Sequence, residues 1–259
     1  MTSPFSHRYL RLPAALIVAV LLYYYLPPTV NLFQAKAYVK DKPELWQIPQ
    51  PLALDRREAI DGKPLSYVGL GFSTPWGEPK LFRRGETVAG IQFHNTRSII
   101  IFAYAEQTDS IRILRERDKN GETERIYGVS ALKSNFDLKR AVLYTSPADL
   151  SFSLNRERML RNCWFLISKS ADVSNKRTGI YEFRTDKVRG FQMGDPAKSD
   201  AIVLFVFDRY DHESTIIVAT VKNAPTRLTQ SEVNTILLSL DSDGGGPAES
   251  LPGKSVASK

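Results

Sequence analysis

The sequence predicts an α+β fold: an antiparallel sheet packed against helices, preceded by a single N-terminal transmembrane (signal-anchor) helix. Three observations predict it. An uncharged apolar run, Leu12 to Leu26, lies near the start; strand-like stretches flank a helical middle; and an amphipathic segment, Leu228 to Leu240, closes the last group of strands. The expected organisation is a short basic tail over 1–11, the membrane helix over 12–28 and a proline-rich spacer over 29–51. An extracytoplasmic α+β domain over 52–241 and a disordered tail over 242–259 complete it.

A bilayer core about 30 Å thick needs roughly 20 apolar residues in a helix, and about 17 is the lower limit. The run Leu12–Leu26 is at that limit and reaches it with Tyr23, Tyr24 and Tyr25 in the interface, where a tyrosine satisfies both its ring and its hydroxyl. The rival readings are a cleaved signal peptide, because Ala35-Lys36-Ala37 has the small-x-small form of a cleavage site, and a buried helix of a soluble domain. The triple tyrosine and the distance from Leu26 to Ala37 favour the anchor. Arg8 and Arg11 abut the run, whereas Lys36, Lys40 and Lys42 come well after it, so the tail is expected in the cytoplasm. The expected location is the cell membrane, single-pass, with the C-terminal domain extracytoplasmic, and periplasmic in a Gram-negative cell.

Of the 259 residues, about 190 remain for folding once anchor and tails are set aside, which fits one domain with a full core or two very small ones, and one is expected. The single Cys163 excludes an intramolecular disulfide, and His7, His94 and His212 have no zinc spacing. The net charge of +7 raises a nucleic-acid partner. The basic residues are dispersed, however, as Arg83-Arg84, Arg112/Arg115/Arg117, Arg156/Arg158/Arg161 and Lys169/Lys176/Arg177, with acids between many of them. That is the pattern of a solvated surface, and no nucleic-acid partner is expected.

Pro27, Pro28, Pro43, Pro49 and Pro51 oppose regular structure and predict an extended spacer, with Leu45 and Trp46 docking on the domain or on lipid. Leu65 to Thr74 reads as the first strand. Its Gly69 and Gly71 form only a G-x-G, without the third glycine of a dinucleotide loop, and glycines inside a strand mark a bulge or a close backbone approach. Thr87 to His94 and Ser98 to Glu106 form a hairpin about Asn95-Thr96-Arg97, with His94 a turn residue. Ser110 to Arg117 is a short helix ending at the turn cluster Asp118–Gly121. Ser146-Pro147-Ala148-Asp149 announces a helix start, and Asn155 caps another. In that helix Met159, Leu160, Cys163, Trp164, Leu166 and Ile167 share the apolar face, which makes Cys163 a buried apolar residue. Strands follow over 179–184, 188–193, 201–207 and 214–221. Ala201 to Phe207 is apolar on both faces and belongs in the centre of the sheet. Thr229-Gln230-Ser231-Glu232 is a capping box, and Val233, Ile236, Leu237 and Leu240 form one stripe that must pack on the sheet.

Gly71-Phe72 with Pro75-Trp76, the two closing strands and a terminal helix ending Ile236-Leu237-Leu238-Ser239-Leu240 resemble the PsbP-like α+β fold over roughly residues 65–240. The blocks Gly190-Phe191-Gln192-Met193-Gly194-Asp195-Pro196 and Leu228-Thr229-Gln230-Ser231-Glu232-Val233-Asn234 are similar to signatures of uncharacterised membrane-anchored bacterial envelope proteins. These resemblances imply a binding or assembly role without catalysis.

The best enzyme candidate is the connector Asp208 to Glu213, where Asp208, Asp211, His212 and Glu213 could supply acid, base or metal ligands. The same residues make an ordinary polar hairpin turn, and no catalytic, cofactor or metal residues are assigned. No G-x-S-x-G, H-E-x-x-H or Walker sequence occurs. The expected function is a non-catalytic adaptor or assembly subunit of the cell envelope, its partners the membrane and other envelope proteins. A lipid or small apolar ligand-binding domain, and an enzyme with an unrecognised site, are the alternatives.

Overall fold

A computed structural model describes residues 6–55, 63–118, 120–128, 130–173, 179–220 and 226–241, with side chains of the first helix placed from Val18 onward. The fold is α+β, with a mixed, mostly antiparallel sheet. Where one domain over 52–241 is expected, the chain divides into two compact units. One takes Met1–Ile48, Arg117–Lys133 and Asp137–Ser174, and the other takes Pro49–Glu116, Ser134–Phe136 and Asn175–Lys259.

The second unit holds the sheet. Its strands are β1 (Gln50–Pro51), β2 (Lys63–Tyr67), β3 (Leu70–Thr74), β4 (Pro79–Arg84), β5 (Val88–Phe93), β6 (Arg97–Phe102), β7 (Ile180–Arg184), β8 (Arg189–Met193), β9 (Ala201–Phe207) and β10 (Glu213–Thr220). Eight of them form one sheet in the order β1-β7-β8-β9-β10-β6-β5-β4, while β2 and β3 form a separate hairpin. Among the described strands, β1 alone pairs in parallel, with β7. As its apolar faces predict, β9 sits in the interior, and every residue from Ile202 to Phe207 is buried.

The alternation of β5 and β6 turns Ala89, Ile91, Phe93, Ile99 and Ile101 to the core. Helix α6 (Gln230–Ser239) covers that core with Val233, Ile236, Leu237 and, one residue beyond its end, Leu240, all at most 1% exposed. Its expected capping box is formed by Thr229 and Glu232. Burial of such side chains contributes about 1.5 to 3 kcal/mol each, so this stripe is a main source of the unit's stability. At Gly190 a Cβ would lie 1.9 Å from the Phe205 carbonyl oxygen, so the glycine of the Gly190–Pro196 block permits close strand approach.

A buried arginine joins the hairpin β5–β6 to α6. Arg97, 4% exposed, donates through Nε and Nη2 to the Glu232 carboxylate at 3.2 and 3.3 Å. It also donates to the carbonyl oxygens of Thr226 and Arg227, each at 2.8 Å. Trp76 adds its indole N–H to Glu232 at 2.8 Å and packs edge-on against Phe93. Burial pushes the Glu232 carboxyl up, but the Thr229 N–H, the Trp76 indole and the Arg97 guanidinium together hold it below the usual carboxylate range.

The first unit is helical. It contains α1 (Ser6–Val39), a 3-10 turn at Pro43–Trp46, α3 (Glu122–Tyr127), most of α4 (Asn135–Tyr144), a 3-10 turn at Pro147–Asp149 and α5 (Arg156–Val173); α2 (Ser110–Arg117) lies almost wholly in the other unit. The expected extended spacer is overturned for 29–39, because α1 runs unbroken through Pro27-Pro28 to Val39. Docking explains it. Pro28, Leu32, Ala35 and Val39 form a buried stripe at helical spacing, and Leu32, Ala35 and Val39 join Leu45, Leu150, Met159, Cys163 and Leu166 in one core. That packing offsets the hydrogen bonds the prolines cannot make. Tyr25 Oη donates to the Leu154 carbonyl at 2.9 Å, and the hydroxyls of Tyr38 and Ser170 lie 2.8 Å apart. Leu45 is fully buried, whereas Trp46 is mostly exposed.

Other expectations change in detail. Leu65–Thr74 is two strands, because Val68 and Gly69 both take positive φ and fold the run into a hairpin. Ser146 to Asp149 does form a capping box, but on a 3-10 turn. In α5, Asn155 accepts from the Arg158 N–H as expected, and Cys163 is buried. Trp164 and Ile167, placed on the apolar face, are nearly half exposed, while Lys169 is fully buried. Strand β4 and helices α3 and α4 are additional elements. Among the described residues, no helix is long and apolar enough to cross a membrane. The expected disordered tail over 242–259 lies outside the described residues.

Candidate functional site

The connector Asp208–Glu213 joins two long apolar strands, and its polar residues first serve the turn. The Asp208 carboxylate accepts from the N–H groups of Tyr210 at 2.8 Å and His212 at 2.9 Å, and Asp211 adopts φ +66. The four candidate side chains do not converge. Asp211 turns to the segment 134–136, where its carboxylate accepts from the N–H groups of Asn135 and Phe136 and pairs with Arg189 at 3.3 Å. The Arg189 guanidinium lies over the Phe136 ring, which stacks on Phe191. Asp211 is thereby a structural clasp.

Asp208 and His212 remain as a pair. Asp208 Oδ2 lies 3.2 Å from His212 Nδ1, and the Tyr104 ring stacks on the imidazole with centroids 4.1 Å apart. The Tyr104 N–H donates to Ser214 Oγ and its hydroxyl to Asp109, and burial followed by the Asp109 charge pushes its phenol up. Tyr104, Asp208, His212 and Ser214 line a cavity of about 160 Å³ with Val68 and Gly69 at the β2–β3 turn. Val68 sits there at φ +47, a left-handed conformation that is strained for a β-branched residue. A carboxylate that orients an imidazole can support proton transfer or a single metal ligand. Among the described residues, no group of three or more His, Cys, Asp or Glu could hold a metal ion. The cavity is also smaller than the roughly 300 to 1,000 Å³ typical of small-molecule pockets.

The helical unit carries a larger concavity, about 510 Å³, open to solvent and lined by Tyr127, Ala131, Arg140, Tyr144, Arg161 and Phe165. Tyr127 and Phe165 pack with centroids 5.7 Å apart, and the Arg140 guanidinium lies 5.0 Å from the Tyr144 ring. Burial raises the Tyr127 phenol. The charged lining of the concavity consists of the Arg140 and Arg161 guanidinium groups and the Asp137 carboxylate, beside an apolar floor that suits a small amphiphile. The sequence carries no sign of it, because its residues come from α3, α4, α5 and the loop between α3 and α4, which are separated in the chain.

Two further reactive side chains occur in this unit. Lys169 Nζ donates to the carbonyl oxygens of Gln47 at 2.6 Å and Thr145 at 2.8 Å, and burial pulls its ammonium down to about 8, with Asp149 acting in the opposite sense. Burial pushes the Cys163 thiol up, which suppresses its reactivity. Neither lines one of the concavities described above. No known protein family matches this chain, and neither a curated protein nor a solved structure matches it.

Proposed function

We propose that the protein is a membrane-anchored, extracytoplasmic, non-catalytic adaptor or assembly subunit of the cell envelope. One observation carries the reading. The helix that holds the apolar run continues into a packed core, where Leu32, Ala35 and Val39 are at most 5% exposed. Cleavage after Ala37 would strip Leu32 and Ala35 from that core, and loss of one buried leucine side chain alone costs about 2 to 5 kcal/mol. Retention of the segment therefore favours anchor over cleaved signal. A rigid helical stalk holds the protein near the bilayer and raises its effective concentration for membrane-bound partners. The loose PsbP-like resemblance points the same way, toward binding without chemistry.

The test must spare the core. Replacing residues 1–22 with a cleavable signal keeps Tyr25 to Val39 and is expected to release a folded protein that no longer complements, while Asp208→Ala/His212→Ala still complements. Complementation by the released form would overturn the adaptor reading, and a folded but inactive double variant would move attention to chemistry at His212. An alkaline phosphatase fusion after Lys259 is expected to be active, in keeping with a cytoplasmic tail bearing Arg8 and Arg11.

A second reading, lipid or small apolar ligand binding, is favoured by the groove beside Arg140 and Arg161. Retention of a native lipid through purification, lost in Arg161→Glu, would support it.

A further inference from the structure

We propose that the loop Ser151–Asn155 is a membrane-inserting loop, which places Phe152 and Leu154 at the phospholipid headgroup–acyl boundary beside α1. The inference rests on the reading of Leu12–Leu26 as an anchor and adds a second point of bilayer contact.

Three observations within the helical unit converge on it. The first is level. Tyr25, at the end of the apolar run, donates to the Leu154 carbonyl, and the Arg156 guanidinium lies 4.9 Å from the Tyr24 ring. The loop is therefore fixed beside the tyrosines that an interface would hold. The second is direction. Tyr24 lies beside Arg156 and Tyr38 beside Ser170, equal spacings along both helices, so α1 and α5 run side by side in the same sense. At about 1.5 Å per residue, α5 climbs some 20 Å away from the apolar run and leaves the preceding loop at the end nearest the bilayer. The third is composition. Phe152 is 59% exposed and Leu154 79%, two large apolar side chains in a five-residue loop, followed at once by Arg156 and Arg158. Such residues in water gain nothing, whereas an interface takes up the apolar pair and offers phosphates to the arginines.

A phospholipid surface is the occupant because the loop is tied at Tyr24 and Tyr25 to the last turn of the apolar run. On α1 itself Tyr23, Leu26, Val30 and Phe33 form an exposed stripe leading away from the run.

The test uses the full chain in nanodiscs of a phosphatidylcholine–phosphatidylglycerol mixture, with an environment-sensitive fluorophore on Phe152→Cys, Leu154→Cys or Tyr23→Cys. The buried Cys163 of the unsubstituted chain serves as the labelling blank. At the depth of about 5 to 10 Å expected of an interfacial segment, lipids bearing a shallow acyl-chain nitroxide should quench the label about twofold. Quenching at Tyr23 and at both loop positions supports the proposal. Quenching at Tyr23 without quenching in the loop overturns the loop insertion and leaves the anchor standing. No quenching at any position overturns both. All three positions are solvent-exposed, so folding is not at stake in the substitutions.

Discussion

Arg97 and Lys169 are both buried cations, and they are buried in opposite ways. Arg97 meets a carboxylate: Glu232 takes two of its N–H groups, two carbonyls take others, and the Trp76 indole supports the same carboxylate. Among the described residues, Lys169 donates to the carbonyls of Gln47 and Thr145, with the Asp149 charge acting from further off, and burial pulls its ammonium down to about 8. A cation paired with a carboxylate depends on its charge. A cation held by carbonyls depends on its N–H groups, and a neutral amine still offers two. The guanidinium clamp is therefore an obligate ion pair, and the ammonium is a hydrogen-bond staple that tolerates deprotonation.

The largest expected effect follows from breaking the clamp. Arg97→Leu leaves the Glu232 charge half-buried and unpaired, which costs about 3 to 5 kcal/mol, and chemical denaturation of the full chain in detergent should show it. A loss below about 1 kcal/mol would place Arg97 on the same footing as Lys169.

The next effect is a pH profile of opposite character. Lys169 has its folded value below its unfolded one, so between pH 8 and 10.5 the unfolded chain holds the extra proton and stability rises with pH. The cost of burying the charge is fully present below pH 8 and relieved toward pH 10.5, a gain of up to about 3 kcal/mol. Lys169→Met should remove this rise, and an unchanged rise in that variant would assign it to other groups.

Glu232 gives the acid counterpart. Its folded value is held below the usual range, so its contribution is present above about pH 4.3, the unfolded value, and is lost as pH falls through the folded one. Glu232→Gln should flatten that acid limb and cost about 1.5 to 3 kcal/mol at neutral pH, the worth of hydrogen bonds to a charged group.

The smallest expected effect separates two aspartates of one loop. Asp208→Asn keeps an acceptor for the Tyr210 and His212 N–H groups and should cost less than 1 kcal/mol, whereas Asp211→Ala should cost about 1 to 3 kcal/mol through the N–H groups of Asn135 and Phe136. Equal losses would show that the pair His212–Asp208 is as structural as the clasp.

These two buried cations also mark how far the sequence could be read. The residue pattern placed Glu232 in a capping box, correctly, because capping is local chemistry, and Arg97 at the end of a turn, whereas it is the first residue of β6. That the two side chains meet across 135 residues was not legible, nor was the burial of a lysine in an otherwise amphipathic helix. The candidate loop was found by its composition. Its division into a clasp at Asp211 and an Asp208–His212 pair depended on which distant backbone each carboxylate could reach.

The sequence by itself determined the closing strands, the central place of Ala201–Phe207, the capped helix with its stripe Val233, Ile236, Leu237 and Leu240, and the buried Cys163. In the helices a periodicity of 3.6 residues aligns apolar side chains on a face that must leave water, and Ala201–Phe207 is apolar on both faces, so both must be covered. Only the tertiary structure decided that α1 passes through Pro27-Pro28, that Leu65–Thr74 is a hairpin, and that β1 joins the sheet in parallel beside β7. Those outcomes set local preferences against each other or leave them weak, and the contacts that settle them come from residues far away in the chain. Proline opposes a helix, but the stripe of Pro28, Leu32, Ala35 and Val39 against the α5 core holds it.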